Sequence, residues 1–241
     1  ASPMIGGLVG SEMCIRDRII ITTHKNEPVN TIKEKAKKGI NRLWWDFSNE
    51  ETSDIVFRTK PLYADWFTLD KNKERADQSL YSFSVMSPPG TYNITLKSGE
   101  NSMTKTLKVM KDPNSEGTVE DINLQNHLVT KIYADLNTTI SHINSIEVIR
   151  RQLLDLKSML KNSSSKKEFV KMVDKLENQF LEIEKQLIQL KITGTGQDGV
   201  RYQKMLVEKL RYLAANVQIS DFKPADSYVE VYEILKGRLN S

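Results

Sequence analysis

Between Asp112 and Gly117 the hydrophobic period of this chain changes from two to about 3.6. A period of two belongs to half-buried strands and one of 3.6 to amphipathic helices, so two kinds of core are expected on either side. Upstream, Gly39 releases a stretch in which Leu43, Trp45 and Phe47 alternate with Arg42, Trp44 and Asp46. Pro88-Pro89-Gly90 is a turn that feeds Tyr92, Ile94 and Leu96, alternating with Thr91, Asn93 and Thr95. These two stretches read as the central strands of a small antiparallel β-sandwich. Ile19–Thr23, a short strand about Ile32, a strand through Phe83 and Val85, and one through Leu107 and Val109 complete it. Asn26-Glu27-Pro28 turns the first pair, and the basic run Lys33–Lys38 reads as a solvated sheet edge.

Downstream, Thr118 and Asp121 form a capping-box-like start. Leu124, Leu128, Ile132, Leu136, Ile140, Ile143, Ile146, Ile149, Leu153, Leu156 and Leu160 then keep one stripe, predicting a helix roughly 60 Å long. Asn162-Ser163-Ser164 breaks it, and Ser165 with Glu168 caps the next. That helix carries Phe169, Val173, Leu176, Phe180, Ile183, Leu187 and Leu190 at heptad spacing. Intramolecular packing as a coiled-coil hairpin is the expected use of this seam, with self-dimerisation as the alternative. A third helix through Tyr202, Leu206, Leu210, Leu213 and Val217 and a fourth opened by Pro224, through Tyr228, Val231, Leu235 and Leu239, complete an antiparallel bundle. The fold class expected is therefore α+β as two domains, the sandwich over 19–117 and the helical bundle over 118–241.

Residues 1–18 stand apart. Gly6-Gly7-Leu8-Val9-Gly10-Ser11-Glu12-Met13-Cys14-Ile15-Arg16-Asp17-Arg18 resembles a string produced when sequencing adaptor is read as protein, and Glu12, Arg16, Asp17 and Arg18 do not suit a signal peptide. Setting it aside removes the sole cysteine, Cys14, and with it disulfide and thiol chemistry. The net charge of +4 is spread evenly: 15 basic against 13 acidic residues in 19–117, and 18 against 16 in 118–241. Nucleic-acid binding needs basic residues gathered on one face, and none gather here. No apolar run reaches the roughly 18 residues a membrane span requires.

Patterns that suggest chemistry mostly fail on context. Gly194-Thr195-Gly196-Gln197-Asp198-Gly199 spells a dinucleotide fingerprint but follows a heptad helix where a strand is needed, so a loop is expected and no cofactor. His127 and His142 are about 22 Å apart along one helix and cannot share a metal; His24 has no partner in sequence. Asp46 as a glycosidase carboxylate lacks a second acid and reads as a turn cap. Trp66, with Phe67, lies in the polar 48–80 excursion, where it packs on the core, contacts another domain or stacks on a sugar. Trp44, on the outer side of its strand, is the second residue available to a ligand or an interface.

Taken in order, Gly39-x-Asn41-Arg42-x-x-Trp45-Asp46, Pro89-Gly90-Thr91-Tyr92 and Val109-Met110-Lys111-Asp112-Pro113 resemble a β-sandwich of bacterial extracytoplasmic proteins. It is similar to the immunoglobulin-like domain of flagellar hook-capping proteins. It is closer to the region after the propeller in bacterial sortilin-like proteins with BNR (Asp-box) repeats, often labelled glycosyl hydrolases. In that family a helical region follows, ending in an Asp-x-x-Pro-Thr helix start and a Glu-Val-Tyr-like motif. Here these stand as Asp221-Phe222-Lys223-Pro224, with Ala225 for the threonine, and Glu230-Val231-Tyr232-Glu233. The resemblance implies a secreted or periplasmic protein whose propeller lies upstream, behind a signal peptide. Asp-box repeats occur nowhere in this sequence, so no catalytic residue carries over. The expected role is a non-catalytic accessory module, with the missing propeller of the same chain, a polysaccharide or a protein as partner. A carbohydrate-binding module using Trp44 or Trp66 and a glycosidase in its own right are the alternatives.

Overall fold

The computed structural model describes residues 17–35, 37–72, 74–75, 82–160, 167–194 and 197–240. It is an α+β chain with an antiparallel four-stranded sheet and several helices. By contacts the chain divides into two compact units, each built from three stretches. The first gathers Ala1–Glu51, Ser84–Val129 and Gln218–Pro224; the second gathers Thr52–Phe83, Thr130–Val217 and Ala225–Ser241. Asp112–Gly117, where strands give way to helices, lies within the first.

In the first unit, β1 (Asp17–Thr23), β2 (Pro28–Glu34), β3 (Gly90–Ser98) and β4 (Asn101–Val109) lie in the order β2-β1-β3-β4, every pair antiparallel. Asn26, at φ +65°, supplies the left-handed residue that closes the first hairpin. Lys33 and Glu34 end the edge strand β2 in water, as the sequence predicts; Ala36 lies outside the described residues. Ile19, Ile21, Val29, Tyr92 and Ile94 form the buried core of the sheet, and Ile32, Leu43, Trp45, Leu96, Leu107 and Val109 pack against it.

One sheet is present among the described residues, where the sequence led us to expect two. The stretch after Gly39 keeps its alternation, since Leu43, Trp45 and Phe47 are half-buried while Arg42, Trp44 and Asp46 are exposed. Yet it joins no ladder, and neither do the residues about Phe83 and Val85. Among the described residues they meet each other at the isolated bridge Ser48–Met86, flanked by backbone hydrogen bonds from the Ser87 amide to the Phe47 carbonyl at 2.7 Å and from the Asn49 amide to the Val85 carbonyl at 2.8 Å. Left-handed conformations at Gly39 (φ +106°) and Phe47 (φ +66°) bend the first stretch at both ends. Pro88 and Pro89 supply no N–H to the second. Side chains add to this short backbone pairing. The Trp45 ring meets Phe47 and Tyr92 edge-on at 5.1 and 5.3 Å, and its Nε1 donates to the Ser48 carbonyl at 2.9 Å. The Tyr92 hydroxyl donates to the Pro88 carbonyl at 2.5 Å.

Helix α1 (Val119–Leu160, 42 residues) realises the long stripe predicted from Thr118 onward. Its capping box is complete: the Asp121 carboxylate accepts from the Thr118 amide and hydroxyl, and the Thr118 hydroxyl accepts from the Asp121 amide. Leu128, Ile132, Leu136, Ile140, Ile143 and Ile146 are buried, whereas Leu124, placed on the same stripe by its spacing, is exposed. The helix break and second capping box expected about Asn162 and Ser165 lie outside the described residues.

In the second unit follow α2 (Lys167–Leu187), the one-turn α3 (Asp198–Arg201), α4 (Leu206–Gln218, whose last residue counts with the first unit) and α5 (Asp226–Leu239). α4 buries Leu206, Val207, Leu210, Leu213, Ala214 and Val217. α5 buries Tyr232 and Leu235, one residue round from the expected Val231, which is exposed. Residues 52–59 run without regular structure, and α1 supplies the hydrogen bonds that a neighbouring strand would otherwise give. Asn137 Oδ1 accepts from the Ser53 amide at 2.9 Å, and Asn144 takes the Val56 amide and donates to the Asp54 carbonyl, both at 2.8 Å.

Candidate functional site

The densest group of ionisable side chains lies at the continuation of that arrangement. Three residues on from Asn144, Glu147 Oε2 accepts from the backbone amides of Arg58 and Thr59, and its Oε1 accepts from the Thr59 hydroxyl at 2.8 Å. One further turn along α1, Arg150 reaches α2. It pairs with Glu184 Oε2 at 2.6 Å and with Glu177 Oε1 at 2.8 Å. Glu147 and Glu184 are fully buried and Arg150 nearly so. Burial holds the Glu184 carboxyl up at about 8, Glu147 beside it pushes the same way, and Arg150 opposes both. The Arg150 guanidinium feels burial working against its charge, but Glu184 and Glu177 outweigh that and hold it above the ordinary arginine value.

Glu184 Oε1 has no hydrogen-bond donor among the described residues. A proton at that oxygen resolves the difficulty: Glu184 as a neutral acid donates to Glu147, which is within its hydrogen-bonding reach. The arrangement is a sealed brace. Every oxygen of Glu147 faces the chain's own amides and hydroxyl, so its chemistry is to hold residues 58–59 against α1 and α2. Sequence reasoning missed it. Glu147, Arg150 and Glu184 fall between the leucines and isoleucines of their helices, where charge normally marks a solvated side.

A second group is exposed. Residues 61–67 form two successive turns, closed by Ala64 N–H to the Pro61 carbonyl at 3.3 Å and Phe67 N–H to the Ala64 carbonyl at 2.9 Å. Pro61 and Ala64 point inward, and the Leu62 amide is tied to the Leu190 carbonyl at 3.0 Å. This leaves Tyr63 and Trp66 outside, 85% and 68% exposed. Tyr63 holds φ at +63°, unusual for a ring-bearing residue. Lys191 sets its ammonium 5.3 Å from the Tyr63 ring and 5.5 Å from that of Tyr202. Trp66 lies tilted against Phe67 with centroids 5.9 Å apart. Flat rings beside an ammonium suit the C–H face of a sugar and an anionic substituent. Of these residues the sequence singled out Trp66; Tyr63 is three positions away on the preceding turn, while Lys191 and Tyr202 gave no signal of a site.

Trp44 is 65% exposed in the first unit, near Ile40 in sequence, itself 89% exposed. Asp46 accepts from the Ser48 amide at 3.0 Å and hydroxyl at 2.5 Å; the hydroxyl contact first, then the amide, holds its carboxyl below the usual aspartate range. It caps a turn, as its position implied. His24, His127 and His142 are exposed, and no group of three metal-binding side chains occurs among the described residues. The Gly194–Gly199 stretch follows α2, not a strand. Thr195 and Gly196 lie outside the described residues, and Asp198 staples the loop by accepting from the Thr193 amide at 2.8 Å and hydroxyl at 2.6 Å. No described helix is long and apolar enough to cross a membrane. Set against family models, curated proteins and solved structures, the chain matches none.

Proposed function

We propose that the chain is a non-catalytic accessory and interaction module of an exported bacterial BNR-repeat, sortilin-like propeller protein. The observation that supports this is how the short motifs of that resemblance are used within the first unit. Gly117, just past Asp112-Pro113, packs so closely on Asp221 that a β-carbon there would lie 2.2 Å from the Asp221 carbonyl oxygen. Gln125 Nε2 donates to the Ser220 carbonyl at 2.5 Å across 95 residues of sequence. The start of the Asp221–Pro224 motif thus packs on the residues that follow the Val109–Pro113 motif. On this reading the sheet is immunoglobulin-like, with residues 41–48 and 82–89 in place of a regular second sheet. The helices form an antiparallel bundle about the α1–α2 hairpin. The partner is a propeller encoded upstream in the same frame, and the site of action is periplasmic or extracellular. Recovering the upstream reading frame from an independent assembly tests it. Asp-box repeats in frame are the expected result, and an unrelated preceding domain overturns it.

A second reading is favoured by the exposed Tyr63–Trp66 turn beside Lys191: a carbohydrate-binding module with preference for acidic sugars. Affinity electrophoresis in gels containing acidic and neutral polysaccharides reads it directly. Retardation that Trp66→Ala reduces at least tenfold is expected; migration unaffected by any polysaccharide sinks this reading and leaves the first untouched.

A further inference from the structure

Helix α2 carries more apolar surface than its own chain covers. Val173 and Leu187 of the heptad seam are buried and Phe180 is half-buried. The alternate set, Phe169, Leu176 and Ile183, spaced seven apart, remains 47%, 43% and 50% exposed, with Met172 64% exposed beside it. Lys175, Leu176, Gln179, Glu182 and Ile183 also line one shallow depression of the surface. If Phe169, Leu176 and Ile183 are a positions, then Met172, Gln179 and Gln186 are d positions, and Glu168, Lys175 and Glu182 are g. The e positions are Val173, Phe180 and Leu187, already engaged within the chain.

We propose that a second copy of this chain docks on the stripe, its α2 antiparallel to the first. Orientation follows from the flanks. A parallel pair sets g against e, which would bring charged residues onto Val173, Phe180 and Leu187. An antiparallel pair sets g against g and leaves the e side to the chain's own core. In the register where Leu176 lies beside the partner's Gln179, Met172 meets the partner's Ile183 and Phe169 meets the partner's Gln186. The same register puts Lys175 opposite the partner's Glu182, and the two-fold axis repeats that pair. The flank is therefore self-complementary in charge in that register. Glu182 already touches Lys185 at 2.6 Å, but both are surface side chains and the carboxylate has room for a second cation. A single helix pair of this length is a small interface, so the dimer forms with a Kd on the order of 10 µM.

Sedimentation velocity of the full 241-residue chain across roughly 1 to 200 µM tests this, with circular dichroism confirming unchanged helix content in every variant. The wild type passes from monomer to dimer over that range. Lys175→Glu weakens association at least about tenfold, Ile183→Asp abolishes it, and Lys175→Glu with Glu182→Lys restores the wild-type Kd to within about threefold. A chain that stays monomeric throughout overturns the proposal. So does association indifferent to Lys175→Glu, or a double variant as weak as the single one.

Discussion

The core under the sheet and the core between α1 and α2 are built on opposite principles. Under the sheet, Ile19, Ile21, Val29, Tyr92 and Ile94 are buried, and the buried members are apolar or, as with Tyr92, turn their one polar atom to a backbone carbonyl. Between the helices, Glu147, Glu184 and Arg150 sit as deep as Ile140 and Ile143. The difference follows from what each core must cover. The strands satisfy their amides along ladders, so their inward side chains need only be apolar. Residues 52–59 have no ladder, and something on α1 must take up their polar groups; Asn137, Asn144 and Glu147 do so. Once Glu147 is buried, charge balance brings Arg150, and Arg150 brings Glu177 and Glu184.

Arg150→Met breaks the second core most sharply, because it leaves the Glu147 and Glu177 carboxylates without their cation and Glu184 Oε2 without its donor. Removing one partner from a buried ionic group costs about 3–5 kcal/mol. Urea denaturation at neutral pH should register a loss of that size. A loss below about 1 kcal/mol would show that water reaches the cluster and that the two cores differ less than their burial implies.

Trp45→Ala is the matching test on the first core. The ring contacts Phe47 and Tyr92 but is only half-buried, so the expected loss is about 3 kcal/mol, the lower end for truncating a packed aromatic. An unchanged denaturation midpoint would mean that residues 41–48 lie on the sheet without stabilising it.

These two variants also mark what the sequence could convey. The period-two pattern placed Trp45, Tyr92 and Ile94 inward correctly, because alternation reports which side is buried whether or not the residue joins a ladder. It could not report that 41–48 joins no ladder, since pairing depends on segments distant in sequence and on the left-handed φ of Phe47. The α1 cap was legible because Thr118 and Asp121 meet within one turn. The brace was not legible, since Thr59, Glu147 and Glu184 come from three separate stretches and each alone reads as solvated. Trp66, with Phe67, was visible as an aromatic pair among polar residues; Lys191, which meets Tyr63, arrives from beyond the end of α2.

Glu184→Gln gives the smallest effect at pH 5 and separates the cores as pH rises. Glu184 keeps its proton up to about pH 8 in the folded chain, against an ordinary value of 4.5. Between those limits the unfolded chain has released the proton and the folded chain has not, so stability falls as pH rises. The contribution is fully present below about pH 4.5 and is lost as pH climbs through about 8, with a slope of at most about 1.4 kcal/mol per pH unit. Glutamine keeps the shape, offers its oxygen to Arg150 and its amide to Glu147, and does not titrate. At pH 5 the variant should therefore unfold within about 1 kcal/mol of the wild type. Between pH 5 and 8 the wild type should lose more stability than the variant, and the difference between the two curves isolates this one carboxyl from every other titrating group. Among the described residues the sheet core has no buried carboxyl to add to that difference, since Asp46 is exposed at its turn and its carboxyl is held low, mainly by the Ser48 hydroxyl. Parallel curves from pH 5 to 8 would mean that Glu184 is ionised in the folded chain. Its unpaired oxygen would then need a donor other than its own proton.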